Sequence, residues 1–430
     1  MKKTSVPPIF FDWVNNLCSV LSVRSIPTFI ELLIGSMITQ TGFVTDAQMA
    51  IVTKRHWGSY YKWIQQGVWS YLSLARQLLC LVIETFSLKE LFIIFDDTNV
   101  PRSSKKAPDV KYHHQHGNKP NRPKFIWGQC WLTMAVALGN GCAIPIISRL
   151  ISTTSNTGKL LAAKVILRAM KPVLASISTT LLVDSWFMRK NLLLPALELG
   201  IKVIGQVRID TALFAIPDPP KQQGRGRPRI YGDKHTRDHF MALPVKRIKM
   251  QLYNKDQWVH YRYLIARARF LKGRIVKVVF CQFEDSDGNL SKPRLILSTN
   301  TQLNAEEILK NYAKRWTIEP MFNQLKNSWG LNTVWQQSRQ VLSRWVQIVS
   351  LSYAIPQMLV HLGEDNVESL MTFTPWRAKH PVTAGRIRLG LNRIFGHFAV
   401  RSWWNAKSRK FGPRDYLELV HEVQKLPKVS

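Results

Sequence analysis

The sequence is poor in cysteine, in acidic residues and in long stretches without charge. Its five cysteines are odd in number and widely spaced, without a Cys-x-x-Cys pair, so neither a disulfide framework nor a zinc site is predicted. Pro7, Pro8 and Asp12 interrupt any signal-peptide core, and no charge-free run reaches membrane-spanning length without Gly and Asn. We therefore expect a cytoplasmic protein without a membrane partner.

The shortage of acidic residues leaves a large positive charge. Only 27 Asp and Glu stand against 60 Lys and Arg, which gives a formal net charge of +33 over 430 residues. The basic residues are spread along the chain, and many lie near Trp, Tyr or Phe, which can stack on bases. This composition predicts a nucleic-acid partner, with an anionic membrane surface or a merely basic, soluble surface as the weaker alternatives.

Changes in hydrophobic spacing divide the chain into five predicted segments. We expect a helical N-terminal DNA-binding domain over 1–88, a mixed α/β core over 89–207 and 301–335, a β-rich insertion over 208–300, and a basic helical region over 336–430 that binds DNA or a partner subunit. The core order of three strands, helix, strand, helix and strand resembles a ribonuclease-H-like layout, in which the first and fourth strands lie side by side.

Residues 99–124 are polar and rich in Pro, Lys and His, which predicts a loop. The histidines between Tyr112 and His116 are packed into one segment without a Cys or a distant acid, and such ligands rarely complete a tetrahedral metal shell. We predict a solvated loop close to DNA rather than a metal site.

Three carboxylates from separate segments are candidates for metal ligands. Asp97 and Asp184 each follow an apolar strand, and Glu319 opens a helix. Cutting a phosphodiester needs two hard cations, and a few carboxylates suffice for Mg²⁺ because water and phosphate oxygens complete its shell. A single strand-terminal Asp is more often a turn or helix cap. Periodicity does not decide between Asp97 and its neighbour Asp96; we favour Asp97.

The spacing around Glu319 is the most specific feature of the sequence. Steps of three, four and seven residues would place two cations beside this acid on one helix face, in the set Tyr312, Arg315, Glu319 and Lys326. Pro320 is tolerated only in a first turn, so with Thr317 as N-cap the helix begins close to Glu319. The alternative is an ordinary salt-bridged amphipathic helix.

The pattern Tyr-x2-Arg-x3-Glu-x6-Lys resembles the signature of bacterial insertion-sequence DDE transposases, the cut-and-paste group of the IS-four-type superfamily. Asp97 followed by Thr98, and Asp184 followed by Ser-Trp-Phe, agree with it over about residues 90–335. The resemblance implies three carboxylates that bind two Mg²⁺ ions, for which Mn²⁺ substitutes: Asp97, Asp184 and Glu319. It implies contacts to the DNA backbone from Tyr312, Arg315 and Lys326.

The resemblance further implies a homodimer that pairs two transposon ends in a synaptic complex, associated with the bacterial nucleoid. In related enzymes a Trp of the insertion stacks on a displaced base during hairpin formation, and Trp258 is the only Trp in the predicted insertion. The run Gly224-Arg225-Gly226-Arg227-Pro228-Arg229 resembles an AT-hook core, so we predict DNA contacts from its arginines, Arg225, Arg227 and Arg229.

Taken from sequence alone, the expected function is a DNA transposase. It would bind terminal inverted repeats, cleave the DNA with two metal ions and transfer the strand to target DNA. Two alternatives stay open: a catalytically inactive transposition inhibitor or remnant, and a ribonuclease-H-like repair nuclease, which would share the metal site but gives no reason for the Tyr-Arg-Glu-Lys set.

Overall fold

The change of hydrophobic spacing near Leu91 is the boundary between N-terminal helices and a large sheet. The computed structural model describes residues 6–114, 123–139, 141–152, 158–218, 229–371, 375–377, 379–413 and 415–417. Its helices are α1 (Pro8–Cys18), α2 (Ile26–Ile38), α3 (Val44–Met49), α4 (Trp57–Gln66), α5 (Tyr71–Thr85), α6 (Gly158–Leu174), α7 (Lys190–Glu198), α8 (Arg237–Ala242), α9 (Ala305–Ala313), α10 (Ile318–Asn327), α11 (Arg339–His361), α12 (Glu368–Met371) and α13 (Ala384–Phe395).

The strands are β1 (Glu90–Pro101), β2 (Lys111–His114), β3 (Phe125–Val136), β4 (Ile144–Leu150), β5 (Ser178–Val183), β6 (Lys202–Val207), β7 (Leu213–Phe214), β8 (Lys246–Leu252), β9 (Lys255–Ala268), β10 (Arg274–Glu284), β11 (Arg294–Ser298), β12 (Trp404–Asn405) and β13 (Lys410–Phe411). Short 3-10 helices span Arg269–Leu271, Lys314–Thr317, Leu331–Thr333, Glu364–Asn366, Pro375–Arg377 and Val400–Trp403.

Within the described residues, eleven strands form one mixed sheet in the order β2-β3-β1-β5-β6-β11-β10-β9-β7, with β4 on β3 and β8 on β9. β1, β5 and β6 run parallel to one another. The predicted mixed α/β fold is confirmed: the first and fourth predicted strands are neighbours, because β1 pairs with β5. β11 pairs antiparallel with β6, so the strands of the predicted insertion extend this same sheet.

The predicted loop over residues 99–124 is wrong at two places, its first residues and the segment Lys111–His114. β1 does not end at the two acids but continues to Pro101, because its pairing with β3 extends to Gly128. β2 then pairs antiparallel with the first residues of β3, from Lys111 opposite Gly128 to His114 opposite Phe125. β2 has no apolar alternation that would identify it as a strand; the projecting end of β3 supplies its hydrogen-bonding partner.

Helices from the two ends of the chain pack together on the same core. Every residue of α2 is buried, and α11 contacts it. Ser36 and Ser352 share a hydrogen bond of 3.1 Å, and the indole of Trp345 donates to the carbonyl of Gly42 at 2.8 Å. The guanidinium of Arg344 donates to the carbonyls of Ile64 and Trp69, at 2.7 and 2.8 Å. In the part of the chain that the structure describes, no helix has both the length and the apolar composition to cross a bilayer.

Candidate active site

Asp96 and Asp184 lie at the same level of two neighbouring parallel strands. The pairing of β1 with β5 matches Ile94 to Leu182, and the same register continued by two residues sets Asp184 beside Asp96. Consecutive residues of a strand point to opposite faces of the sheet, whereas residues level with each other point to the same face. Asp96 and Asp184 therefore share one face, and Asp97 points to the other.

Arg315 reaches Asp96 from the 3-10 helix that joins α9 to α10. Its Nη1 lies 3.2 Å from Asp96 Oδ2, and the two side chains are only 13% and 16% exposed. Burial opposes the charge of Arg315, but the pKa of its guanidinium is raised by Tyr312 and by three carboxylates: Asp96, Asp184 and Glu319. Acids from three distant segments thus act on a single buried cation.

The carboxyl group of Asp96 has a pKa far from its ordinary value. Burial raises its pKa, and Arg315 acts against this. The negative charges of three other acids raise the pKa further, to about 7: Asp97, Asp184 and Glu319. A cation bound beside Asp96 would favour its ionised form and offset both the burial and the neighbouring negative charges.

Asp184 follows the last residue of β5 and forms the turn behind it. Its Oδ1 accepts hydrogen bonds from the backbone N–H groups of Trp186 and Phe187, at 3.0 and 3.1 Å. The turn-capping role that a strand-terminal Asp often has is thus present. Both hydrogen bonds go to Oδ1, so Oδ2 of Asp184 can bind a second partner.

Asp97 is neutralised on the opposite face of the sheet. The ammonium group of Lys159 lies 2.8 Å from its Oδ2, and the Cys130 thiol donates to the same oxygen at 3.3 Å. Lys159 also lies over the ring of Trp186, 4.9 Å from its centroid. Sequence reasoning missed Lys159, since helical spacing predicts α6 but not which of its residues reaches β1.

Glu319 is an exposed residue in the first turn of α10. As predicted, this helix begins after Thr317, and Tyr312 and Arg315 precede it; the Thr317 hydroxyl donates to the carbonyl of Lys314 instead of capping α10. Tyr312 is buried, which raises the pKa of its hydroxyl to about 12. Lys326 lies seven residues after Glu319, two turns along the same helix.

The remaining predicted residues contact other parts of the chain or lie outside the described residues. Trp258 is in β9, and the Arg247 guanidinium covers its ring at 4.0 Å from the centroid. Arg229 is exposed, with an ion pair of 3.7 Å to Asp233. Arg225 and Arg227 lie outside the described residues.

Oxygen donors of this kind fit a hard divalent cation, for which carboxylates are the preferred protein ligands. No group of three or more His, Cys, Asp or Glu side chains within the described residues has the geometry of a metal site. Asp96 has Arg315 as its charged partner at 3.2 Å. The donor chemistry fits a metal centre, and one of the carboxylates, Asp96, is paired with Arg315.

Family comparisons agree with the mixed α/β fold. The family model described as "Transposase DDE domain" matches residues 87–355, more than half of the chain, and the model described as "DDE superfamily endonuclease" matches residues 26–138. No curated protein has a matching sequence. The matched region contains the mixed sheet, which is consistent with a ribonuclease-H-like domain. The chain belongs to the transposase DDE domain family, and its substrate class is DNA.

Proposed function

We propose that this protein is the cut-and-paste transposase of an insertion sequence, of the group with the Tyr-Arg-Glu-Lys signature. It binds the terminal inverted repeats, cleaves the DNA at their ends and transfers the freed strand to target DNA. One observation supports the proposal: Asp96 forms a buried ion pair with Arg315, a member of the Tyr-Arg-Glu-Lys set, and the charges of Asp184 and Glu319 raise the pKa of the same guanidinium.

We assign the metal-binding roles to Asp96, Asp184 and Glu319. Asp96 replaces Asp97, the residue favoured from sequence, because Asp97 faces Lys159 on the other side of the sheet. The three carboxylates would hold Mg²⁺, with Mn²⁺ as a substitute. Two bound ions would supply an activated nucleophile and stabilise the leaving oxygen.

Arg315 has two successive partners in this proposal. In the protein alone it binds Asp96 and lowers the pKa of that buried carboxyl group, against the effect of burial. A guanidinium binds phosphate and carboxylate with similar geometry, so an arriving DNA phosphate can draw Arg315 away from Asp96. Tyr312 supports Arg315 from the preceding turn, and Lys326 holds the DNA backbone further along α10.

Lys326→Ala should weaken binding to all DNA sequences alike, because one phosphate contact is lost. The slope of the logarithm of the binding constant against the logarithm of salt concentration should become shallower by about 1. The measurement is fluorescence anisotropy over a series of salt concentrations. Lys171→Ala is the matched control, because Lys171 is an exposed lysine in the last turn of another helix, α6. Equal slopes for the two variants would remove Lys326 from the DNA contact.

The proposal is tested with a labelled mini-element that carries the DNA ends flanking the gene, incubated with Mg²⁺. A transposase cuts at the element borders and joins the ends to a target plasmid. An inactive inhibitor or remnant binds the ends without cutting, and a repair nuclease cuts DNA of unrelated sequence equally well. Either result would replace the proposal with that alternative.

The roles of the flanking segments belong to the same proposal. Residues 1–88 recognise the end sequence, and 336–430 contribute DNA or subunit contacts in a homodimer that pairs two ends. Trp258 takes part in a hairpin step only if the Arg247 side chain leaves the ring that it covers. Cleaved mini-element ends that are open, without a hairpin, would exclude this step.

A further inference from the structure

The ribbon formed by β2 and the start of β3 carries four aromatic side chains on one face. Tyr112 is opposite Trp127, and His114 is opposite Phe125. Their ring centroids are 5.0 and 5.1 Å apart, with interplanar angles of 62° and 68°. We call these four residues the aromatic ladder. Edge-to-face contacts of this kind leave ring faces open to an additional partner.

The ladder is exposed to an extent that hairpin stabilisation does not require. Tyr112 is 71% exposed and Phe125 is 57% exposed. Cross-strand aromatic pairs stabilise a sheet modestly, by about 0.2–1 kcal/mol each, whereas adjacent large apolar groups left in water usually mark a binding surface. On the other face of the ribbon, His113 is instead engaged with the backbone carbonyl of Gly128, at 3.2 Å.

The ladder lies on the face of the sheet that carries Asp96. Asp96 pairs with Thr133, and alternate residues of β3 from Thr133 back to Trp127 and Phe125 share that face. Trp127 stands six positions before Thr133, which corresponds to about 20 Å along the strand at ~3.4 Å per residue. A nucleic-acid strand rises ~3.4 Å per nucleotide, so about six nucleotides connect Asp96 to the ladder.

Between the two sites the sheet is covered, so they are separate surfaces. Gln129 and Trp131 are fully buried on this face. In the same region the Arg102 guanidinium donates hydrogen bonds to the side chain of Gln129 and to the carbonyl of Val334. A ligand that reaches both sites must therefore be an extended polymer.

We propose that the aromatic ladder binds the unpaired bases of a DNA strand that leaves the active site. Exposed aromatic rings stack on bases of any sequence, and nearby cations hold the backbone. Lys111 precedes Tyr112, exposed Lys124 precedes Phe125, and the chain carries +33 formal charges, which match a polyanion. The inference rests on the proposed function, because cleavage at a duplex end creates strands that can separate.

The test measures DNA binding in EDTA, so that cleavage does not contribute. The probes are a blunt duplex of the element end, the same duplex with a tail of ten thymidines, and one with a tail of ten abasic sites. Wild type should bind the thymidine tail at least about tenfold more tightly than the blunt duplex, because stacking on aromatic rings contributes about 1–3 kcal/mol per base. The abasic tail should lose most of that gain.

The double variant Tyr112→Ala/Phe125→Ala should lose the gain from the tail and keep its affinity for the blunt duplex. The matched variant Tyr112→Phe/Phe125→Tyr keeps two aromatic rings and should retain the gain. A fluorescent base analogue, 2-aminopurine, placed in the tail reports stacking in the wild-type protein without any substitution. Its fluorescence should fall on binding.

Three results would overturn the inference: no preference for the tail, equal affinity for thymidine and abasic tails, or full retention of the gain in the alanine variant. If the alanine substitutions instead lower the oligomeric mass without changing tail affinity, the ladder binds a second copy of the chain and the inference is wrong. Failure of the proposed function is distinguishable, because it appears as absence of cleavage at element ends, whatever the tail result.

Discussion

Asp184→Asn and Glu319→Gln should each reduce the rate of DNA cleavage in Mg²⁺ at least about 10³-fold, because each removes a ligand charge worth several kcal/mol in the transition state. Both side chains act on Arg315, and neither is buried, so the loss should not come from unfolding. The measurement is single-turnover cleavage of the labelled mini-element.

The matched controls are Asp365→Asn and Glu364→Gln, which change exposed acids of a short 3-10 helix remote in sequence from the site. These two variants should cleave at the wild-type rate. DNA affinity of the site variants in EDTA should be at least that of wild type, since removing negative charge near DNA does not weaken binding. Loss of DNA binding parallel to loss of cleavage would mean that these acids support folding or DNA contact rather than catalysis.

Arg315→Ala should reduce cleavage by about 10²-fold or more at neutral pH and shift the pH dependence upward. Burial raises the pKa of Asp96 to about 7, and Arg315 is the group that lowers it. Without Arg315 the pKa rises further, so more of Asp96 is protonated at pH 7 and unable to bind a cation. Cleavage by the wild type should increase between about pH 6 and 8, as Asp96 loses its proton.

The variant should therefore recover part of its activity near pH 9, whereas wild type has already reached its plateau. Arg315→Lys keeps a positive charge but lacks the planar guanidinium. It should therefore restore the wild-type pH range more completely than it restores the wild-type cleavage rate. A pH-independent loss in Arg315→Ala would show that this residue serves only as a DNA contact.

The sequence predicts the strands of the core and the start of the Glu319 helix because local patterns encode both. Apolar runs identify β1 and β5, and Pro320 limits where α10 can begin. Their relation in space follows from a general rule, since parallel neighbours bring the same ends to one edge of the sheet.

The choice between Asp96 and Asp97 could not come from the same patterns. Consecutive strand residues face opposite sides, and nothing near them in the chain indicates which side is the site. The proposed assignment to Asp96 rests on contacts from distant segments: Arg315, 219 residues further along, binds Asp96, and Lys159 binds Asp97.

The strand β2 was missed for a related reason. Its residues are polar or aromatic without apolar alternation, and its hydrogen-bonding partner is the start of β3, from Phe125 to Gly128, on the edge opposite β1. Helical spacing likewise predicts α2 and α11 but not that they pack together, since that contact joins opposite ends of the chain.

The most direct test of the account compares Asp96→Asn with Asp97→Asn in the same cleavage assay with Mg²⁺. Asp96 lies on the same face of the sheet as Asp184 and forms an ion pair with Arg315, whereas Asp97 forms an ion pair with Lys159. We predict at least about 10³-fold loss of cleavage for Asp96→Asn, as for the other ligands, and less than about tenfold loss for Asp97→Asn. Full activity of Asp96→Asn together with an inactive Asp97→Asn would contradict it.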